Sequence, residues 1–148
     1  MSKQLLREFI ESIIFEGMYD SASPEAKNAI HDIQSAGYDE LANIILKSWV
    51  MHDRLGEEVM SMAKMKSDEG LADAFKIADQ LVRLVDRTLR PRLEQIGKMS
   101  DYFDEEVNSA KSALMSAESS KDISLQVQWP IHNAIENAVE SILDKSLN

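Results

Sequence analysis

Two His-Asp dipeptides, His31-Asp32 and His52-Asp53, are the residues of this sequence best suited by type and spacing to chemistry. Imidazole nitrogens and carboxylate oxygens both bind divalent metal ions, and a bound metal lowers the pKa of its water ligand toward neutrality. Such a site would hydrolyse a substrate with metal-bound hydroxide. His52, however, also falls on an apolar stripe between Ser48 and Leu55, which favours a core histidine bonded to a nearby hydroxyl or backbone carbonyl.

A histidine on one helix, a His-Asp pair on the next and a later aspartate follow one another along the chain. This order resembles that of the ligands in the HD-type metal-dependent phosphohydrolases. The resemblance touches four positions: His31, His52, Asp53 and then Asp79, or Asp86 in its place. It implies a divalent metal that activates water for attack on phosphorus, and it gives an enzymatic alternative to the function stated below.

A basic stripe is the second candidate site. Arg83, Arg87 and Arg90 stand at i, i+4 and i+7, so an α-helix places them on one face, and Arg92 lies just beyond. Guanidinium groups bind carboxylates and phosphates bidentately. We therefore interpret this face as a surface for an acidic partner helix or, as a further alternative, for nucleic acid. Acidic neighbours on the same helix favour the simpler interpretation that the stripe is neutralised within the chain.

Large apolar residues form a third candidate surface. Trp129 is interpreted as a core or interface anchor, and we count it among the candidate partner-binding residues. Four methionines cluster between Met51 and Met65, a composition typical of adaptable partner surfaces and also of irregular cores. These residues carry no chemistry of their own, so they indicate contact with another protein or with the interior.

The elements that must position these residues are helices. The chain has 148 residues with 44% apolar content and only five Gly and three Pro, which predicts a single domain over 1–148 without the many turns of an all-β fold. Apolar residues recur at helical spacing over about 2–18, 24–36, 39–66, 68–96, 101–119 and 130–143. The sequence therefore predicts an all-α helical bundle of about six helices.

Two places depart from regular helical spacing. Pro91 lies inside the fourth helix, where it removes a backbone hydrogen bond, so we expect a kink near Thr88 or two helices meeting there. Over 123–129, apolar and polar residues alternate with the period of a half-buried strand. That alternation predicts a short extended segment, either a connector or a strand that pairs with another chain.

The bulk properties narrow the class of function. A formal net charge of −10 argues against a protein that coats DNA, and the lack of cysteine excludes disulfides and thiolate chemistry. We expect no signal peptide, no membrane span and no cofactor, and a cytoplasmic protein of a bacterium or an infected host cell. The first hypothesis is a non-enzymatic adaptor or assembly protein, such as a small phage or bacterial accessory factor. It would act through helix–helix contacts, with a dimer formed across the wide apolar faces of residues 2–18 and 41–65.

Overall fold

The structure, a computed structural model, describes residues 3, 5, 17–20, 22–65 and 71–143. The predicted helix over 2–18 falls mostly outside these residues, and the predicted break at Ser67-Asp68 falls wholly outside them. The side chains of Met62 and Met65, which belong to the predicted methionine cluster, are likewise not described.

The described part of the chain is all-α and contains no strand, which confirms the predicted fold class. Two π-helical segments, π1 and π2, are each continuous with the α-helices on both sides of them. In chain order the elements are α1 (Pro24–Ser35), α2 (Asp39–Met65), α3 (Leu71–Leu84), π1 (Val85–Leu89), α4 (Arg90–Gln95), α5 (Asp101–Ser116), α6 (Ser120–Asp122), π2 (Ile123–Gln128) and α7 (Trp129–Leu143).

Several helix ends are fixed by local side-chain chemistry. The Ser23 hydroxyl accepts a hydrogen bond from the Ala26 amide at the start of α1, and the Ser100 hydroxyl accepts one from Phe103 at the start of α5. Such caps satisfy amide groups that lack partners in the first turn. Gly37 takes a φ of 93° just after α1, a left-handed conformation that glycine adopts without strain. These boundaries agree with those predicted from the sequence.

The irregularity predicted before Pro91 is present as the π turn π1. Proline has no N–H, so the carbonyl of Arg87 lacks its usual α-helical donor four residues later. In this turn the Arg90 amide donates to the carbonyl of Val85, five residues earlier. The wider turn holds an extra residue, and side chains beyond it are therefore rotated relative to those of α3.

The extended segment predicted over 123–129 is wrong, because these residues form π2 and the first turn of α7. On a strand, the four alternating apolar residues would share one face. In the helix they separate into two rows at i, i+4 spacing. Ile123 and Val127 are fully buried, whereas the side chains of Leu125 and Trp129 are 60% and 61% exposed.

The core is an apolar cluster to which every helix from α1 to α7 except the single turn α6 contributes. α7 packs along α5 and also reaches α1 and α2, while α2 packs against α1 and α3. The largest fully buried side chains are Phe103, Ile30, Ile33, Ile45, Leu46, Leu55, Leu81, Leu89, Leu93, Ile123, Ile131 and Ile135. Within the described ranges, no helix has the length and apolar content needed to cross a membrane.

Candidate functional site

A cavity of about 700 Å³ opens between the start of α1, the middle of α2 and the length of α7 from His132 to Glu140. We call it the His52 cavity. On α2 its lining residues lie between Leu46 and Glu57, and on α7 they recur every three or four positions from His132 to Glu140. The spacing on α7 places that set on one helix face. The cavity therefore lies between α2 and α7, with the capped start of α1 as its third wall.

Two imidazole rings, those of His52 and His132, meet in the wall of this cavity. Their centroids are 5.1 Å apart with a tilt of 37°. His52 Nδ1 lies 3.4 Å from a carboxylate oxygen of Asp53, and His132 Nε2 lies 2.9 Å from one of Glu136. Each ring thus has its own carboxylate neighbour. The indole of Trp129 stacks on the outer side of His132 at 5.7 Å, so three rings run from the surface to the cavity.

Burial of the His52 ring, whose side chain is 16% exposed, lowers its pKa below the ordinary histidine value. The hydrogen bond to Asp53 opposes this effect, the charge of His132 adds to it, and the charges of Asp53 and Glu136 oppose it more weakly. Desolvation dominates because the charged imidazolium is the form that loses hydration. Near neutral pH the His52 ring is therefore uncharged.

The wall of the His52 cavity is acidic while its floor is apolar. Five carboxylates and one guanidinium give the lining a formal charge of −4 with the histidines neutral. They are Glu25, Asp53, Glu57, Glu136, Glu140 and Arg54. Apolar surface comes from Leu46, Trp49, Val50 and Val139, together with small alanines of α1. An apolar floor with a few convergent polar groups is typical of small-molecule sites.

The structure does not assemble the predicted metal site from His31, His52, Asp53 and Asp79. Of these residues only His52 and Asp53 contact one another, while His31 is exposed on α1 and Asp79 pairs with Arg83 on α3. Among the described side chains, no group of three or more histidines and carboxylates is arranged to hold a metal ion. The expected hydroxyl or carbonyl partner of His52 is also replaced by a carboxylate, that of Asp53.

The predicted arginine face is divided by π1. Arg83 is exposed and pairs with Asp79 at 3.0 Å, whereas the Arg90 side chain is only 19% exposed and pairs with Asp86 at 3.0 Å and with Asp104. The extra residue of the π turn rotates Arg90 inward, away from the face of Arg83. Its guanidinium also lies 5.9 Å from the Phe103 ring, and its pKa is raised because its two carboxylate partners outweigh the cost of burial.

The other two arginines of that prediction also differ from one another. Arg92 pairs with Glu40 at 2.5 Å, which ties α4 to the start of α2. Arg87 is exposed, and within the described residues it has no ion-pair partner. It lines a shallow, mostly apolar groove between α2 and α3 together with Lys47 and Arg83. Only part of the predicted basic surface is therefore available to a partner.

The exposed row of Leu125 and Trp129 is a second candidate site, which we call the Trp129 patch. Residues 123–135 contain no Asp, Glu, Lys or Arg, although 28% of the chain is charged. The two side chains of the patch are thus apolar, and the nearest charge on their side of α7 is that of Glu136, which pairs with His132. Trp129 was a predicted partner-binding residue, but sequence reasoning missed Leu125 as its neighbour. When the apolar residues of 123–131 are grouped at the helical spacing of four positions, Leu125 and Trp129 fall in one row and Ile123, Val127 and Ile131 in the other.

His132 is the cavity residue that the sequence failed to place. Its i, i+4 spacing to Glu136 indicates a pair of neighbours on the helix surface, and that pair is present, but the ring also contacts His52 of another helix. No local pattern signals that contact, because it depends on how α2 and α7 pack.

Comparison with known proteins adds no further constraint: no protein-family model matches the chain, and no curated protein or solved structure matches it either.

Proposed function

We propose that this protein is a non-enzymatic interaction protein that acts through helix–helix contacts made by the Trp129 patch. The observation that carries the proposal is the exposed Leu125–Trp129 pair, aligned at i, i+4 on one continuous helix. Exposed apolar residues scattered singly are ordinary, but this tryptophan has an aligned leucine beside it, and tryptophan is enriched among the residues that dominate binding energy in interfaces.

The partner that fits the patch best is a second copy of this chain. Two molecules of net charge −10 repel one another, so a contact between copies is favoured where neither presents charge. Residues 123–135 provide such a surface. A twofold contact would place the patch of one copy against the patch of the other, as in most homodimers. A dimer was also the prediction from the sequence, although on other faces.

Neither alternative function has comparable support. The phosphohydrolase alternative requires ligands that the structure leaves apart. The nucleic-acid alternative requires a face of free arginines, and Arg83 and Arg90 are paired with carboxylates. We further propose that the protein is cytoplasmic and of bacterial or phage origin. This part of the proposal rests on the sequence alone.

The test is sedimentation equilibrium of the purified chain and of the variant Leu125→Ala/Trp129→Ala. We expect the wild type to dimerise and the variant to be at least about tenfold weaker, since interface tryptophans often contribute more than 1.4 kcal/mol. Tyr102→Ala is the matched control. Tyr102 is also exposed, but it lies at the start of α5, near the hydrogen bond from Ser100 to Asn137 and two turns of α7 away from Trp129.

Three outcomes are distinguished by this comparison. Dimers of the wild type and of Tyr102→Ala, with a monomeric patch variant, support the proposal. A wild type that stays monomeric at all accessible concentrations contradicts it. A dimer that survives the double substitution shows that another surface makes the contact. Circular dichroism of each variant establishes that the fold is retained.

A further inference from the structure

We infer that the His52 cavity binds a small organic cation, an alkylamine protonated at neutral pH, and this inference is independent of the function proposed for the Trp129 patch. The dimer proposed above is formed by Leu125 and Trp129, and neither residue lines this cavity. Its volume of about 700 Å³ lies within the range of small-molecule sites, which runs from about 300 to 1,000 Å³.

The apolar floor of the cavity determines what kind of cation it fits. Leu46, Val50 and Val139 present aliphatic surface, and Trp49 presents an indole beside them. An inorganic cation would gain nothing from these groups and would need convergent oxygen ligands, which the described side chains do not provide. An alkyl chain is stabilised when it buries its methylene groups against such a floor.

Aromatic rings supply the first attraction for the charged end. The indole of Trp49 and the imidazole of His52 line the same cavity. Aromatic rings attract an ammonium group placed over their face, and tryptophan does so most strongly. Because burial keeps the His52 ring uncharged near neutral pH, it presents an electron-rich face instead of a repelling charge.

Carboxylates supply the second attraction, and they come from all three walls. Glu25 belongs to α1, Glu57 to α2 and Glu136 to α7, so each of the three elements that line the cavity contributes a carboxylate. An acidic surface alone is expected of this acidic chain. Here the acidic groups lie beside aliphatic and aromatic groups in one cavity, and that combination selects an amine with an apolar body.

The binding test is isothermal titration calorimetry with three probes of similar size. They are cadaverine, which is a terminal diamine, its uncharged analogue pentanediol, and the dianion glutarate. We expect cadaverine to bind and the other two not to bind, because the carboxylates and rings attract only the cation. Equal binding of cadaverine and pentanediol would overturn the inference. A lysine amide with a blocked amino terminus distinguishes a free amine from a protein side chain as the source of the ammonium group.

Charge-matched variants separate the cavity from the general acidity of the protein. Glu57→Gln/Glu136→Gln should weaken cadaverine binding about tenfold, since partly exposed charges contribute up to about 1 kcal/mol each. Glu105→Gln/Glu118→Gln removes the same charge at exposed positions outside the cavity and should leave the affinity unchanged. Equal weakening by both pairs would assign the binding to non-specific electrostatics. Leu125→Ala alters the Trp129 patch but keeps the stacking of Trp129 on His132, so it should bind cadaverine like the wild type, and the binding result does not depend on the outcome of the dimer test.

Discussion

His52 shows how a single ring can be kept neutral by its surroundings. Its side chain is mostly buried, and the structure gives it a 3.4 Å contact with Asp53 and ring contact with His132. A contact of that length is a weak hydrogen bond. The ring therefore contributes to the fold mainly through packing, and a leucine of similar size can replace it.

We expect His52→Leu to remain folded, with a free energy of unfolding at pH 7.5 equal to the wild type's or higher. The pKa of His52 is lower in the folded chain than its ordinary value of about 6.5, so the unfolded chain binds its proton first. The stability linked to this group is present above pH 6.5 and is lost as the pH falls through the lower folded pKa. His52→Leu should therefore lose less stability than the wild type between pH 7.5 and 5.

Urea denaturation of both chains at several pH values measures this difference. A loss of more than about 2 kcal/mol at pH 7.5 would instead mean that His52 makes a bond on which the fold depends. Parallel pH profiles would show that its pKa is not lowered by folding.

Arg90 is the second residue whose environment decides its role. It connects Asp86 of π1 with Asp104 of α5, and Asp86 also accepts from Lys111 at 3.2 Å. We expect Arg90→Met to lower the free energy of unfolding by about 1–2 kcal/mol, because it leaves two carboxylates without their shared cation. Thermal and urea denaturation measure the loss.

Arg87→Met is the matched control for Arg90, since it removes the same charge from an exposed position three residues earlier. We expect a change within about 0.5 kcal/mol. If both variants lost equal stability, the network around Arg90 would contribute nothing beyond net charge. The sequence placed both arginines on one face, and the extra residue of π1 together with the Asp104 carboxylate of α5 separates their roles.

At the scale of elements, the segment from Ile123 to Trp129 gives the sharpest contrast between two helix faces. Ile123→Ala should cost about 2–4 kcal/mol, because it leaves a cavity in the core, whereas Leu125→Ala should cost less than about 0.5 kcal/mol. Denaturation of the two variants, compared at a concentration where both are monomeric, checks this. On a strand both residues would share one face, so equal losses would contradict the helical assignment.

The helices were predictable to the extent that their signals are local. Ser23, Ser100 and Gly37 fix helix ends through bonds within a few residues, and those ends agree with the sequence. The alternation over 123–129 led to a wrong prediction of an extended segment. Two helical rows of apolar residues, offset by two positions, give the same sequence pattern as the apolar face of a single strand. Burial of only one row depends on contacts with α5 and α2, which the segment itself does not encode.

At the scale of the whole molecule, charge should govern how two copies associate. Each carries −10, and the Trp129 patch offers no charge to offset the repulsion. Raising the ionic strength from about 0.01 M to 0.15 M shortens the screening length from about 30 Å to 8 Å. We therefore expect the dimer to become severalfold tighter, measured by sedimentation equilibrium at both salt concentrations. A dimer that weakens with salt would indicate a contact held by ion pairs.

The thioethers of Met60 and Met115 have a consequence for oxidative damage. They are 62% and 91% exposed, and the chain has no cysteine to react in their place. Oxidants convert methionine to the polar sulfoxide, which disrupts a core but which water solvates readily at a surface. Among the methionines whose side chains the structure describes, peroxide should add oxygen first at these two and leave the fold intact. Because methionine sulfoxide is reduced enzymatically, Met60 and Met115 can consume oxidant repeatedly before it reaches the interior.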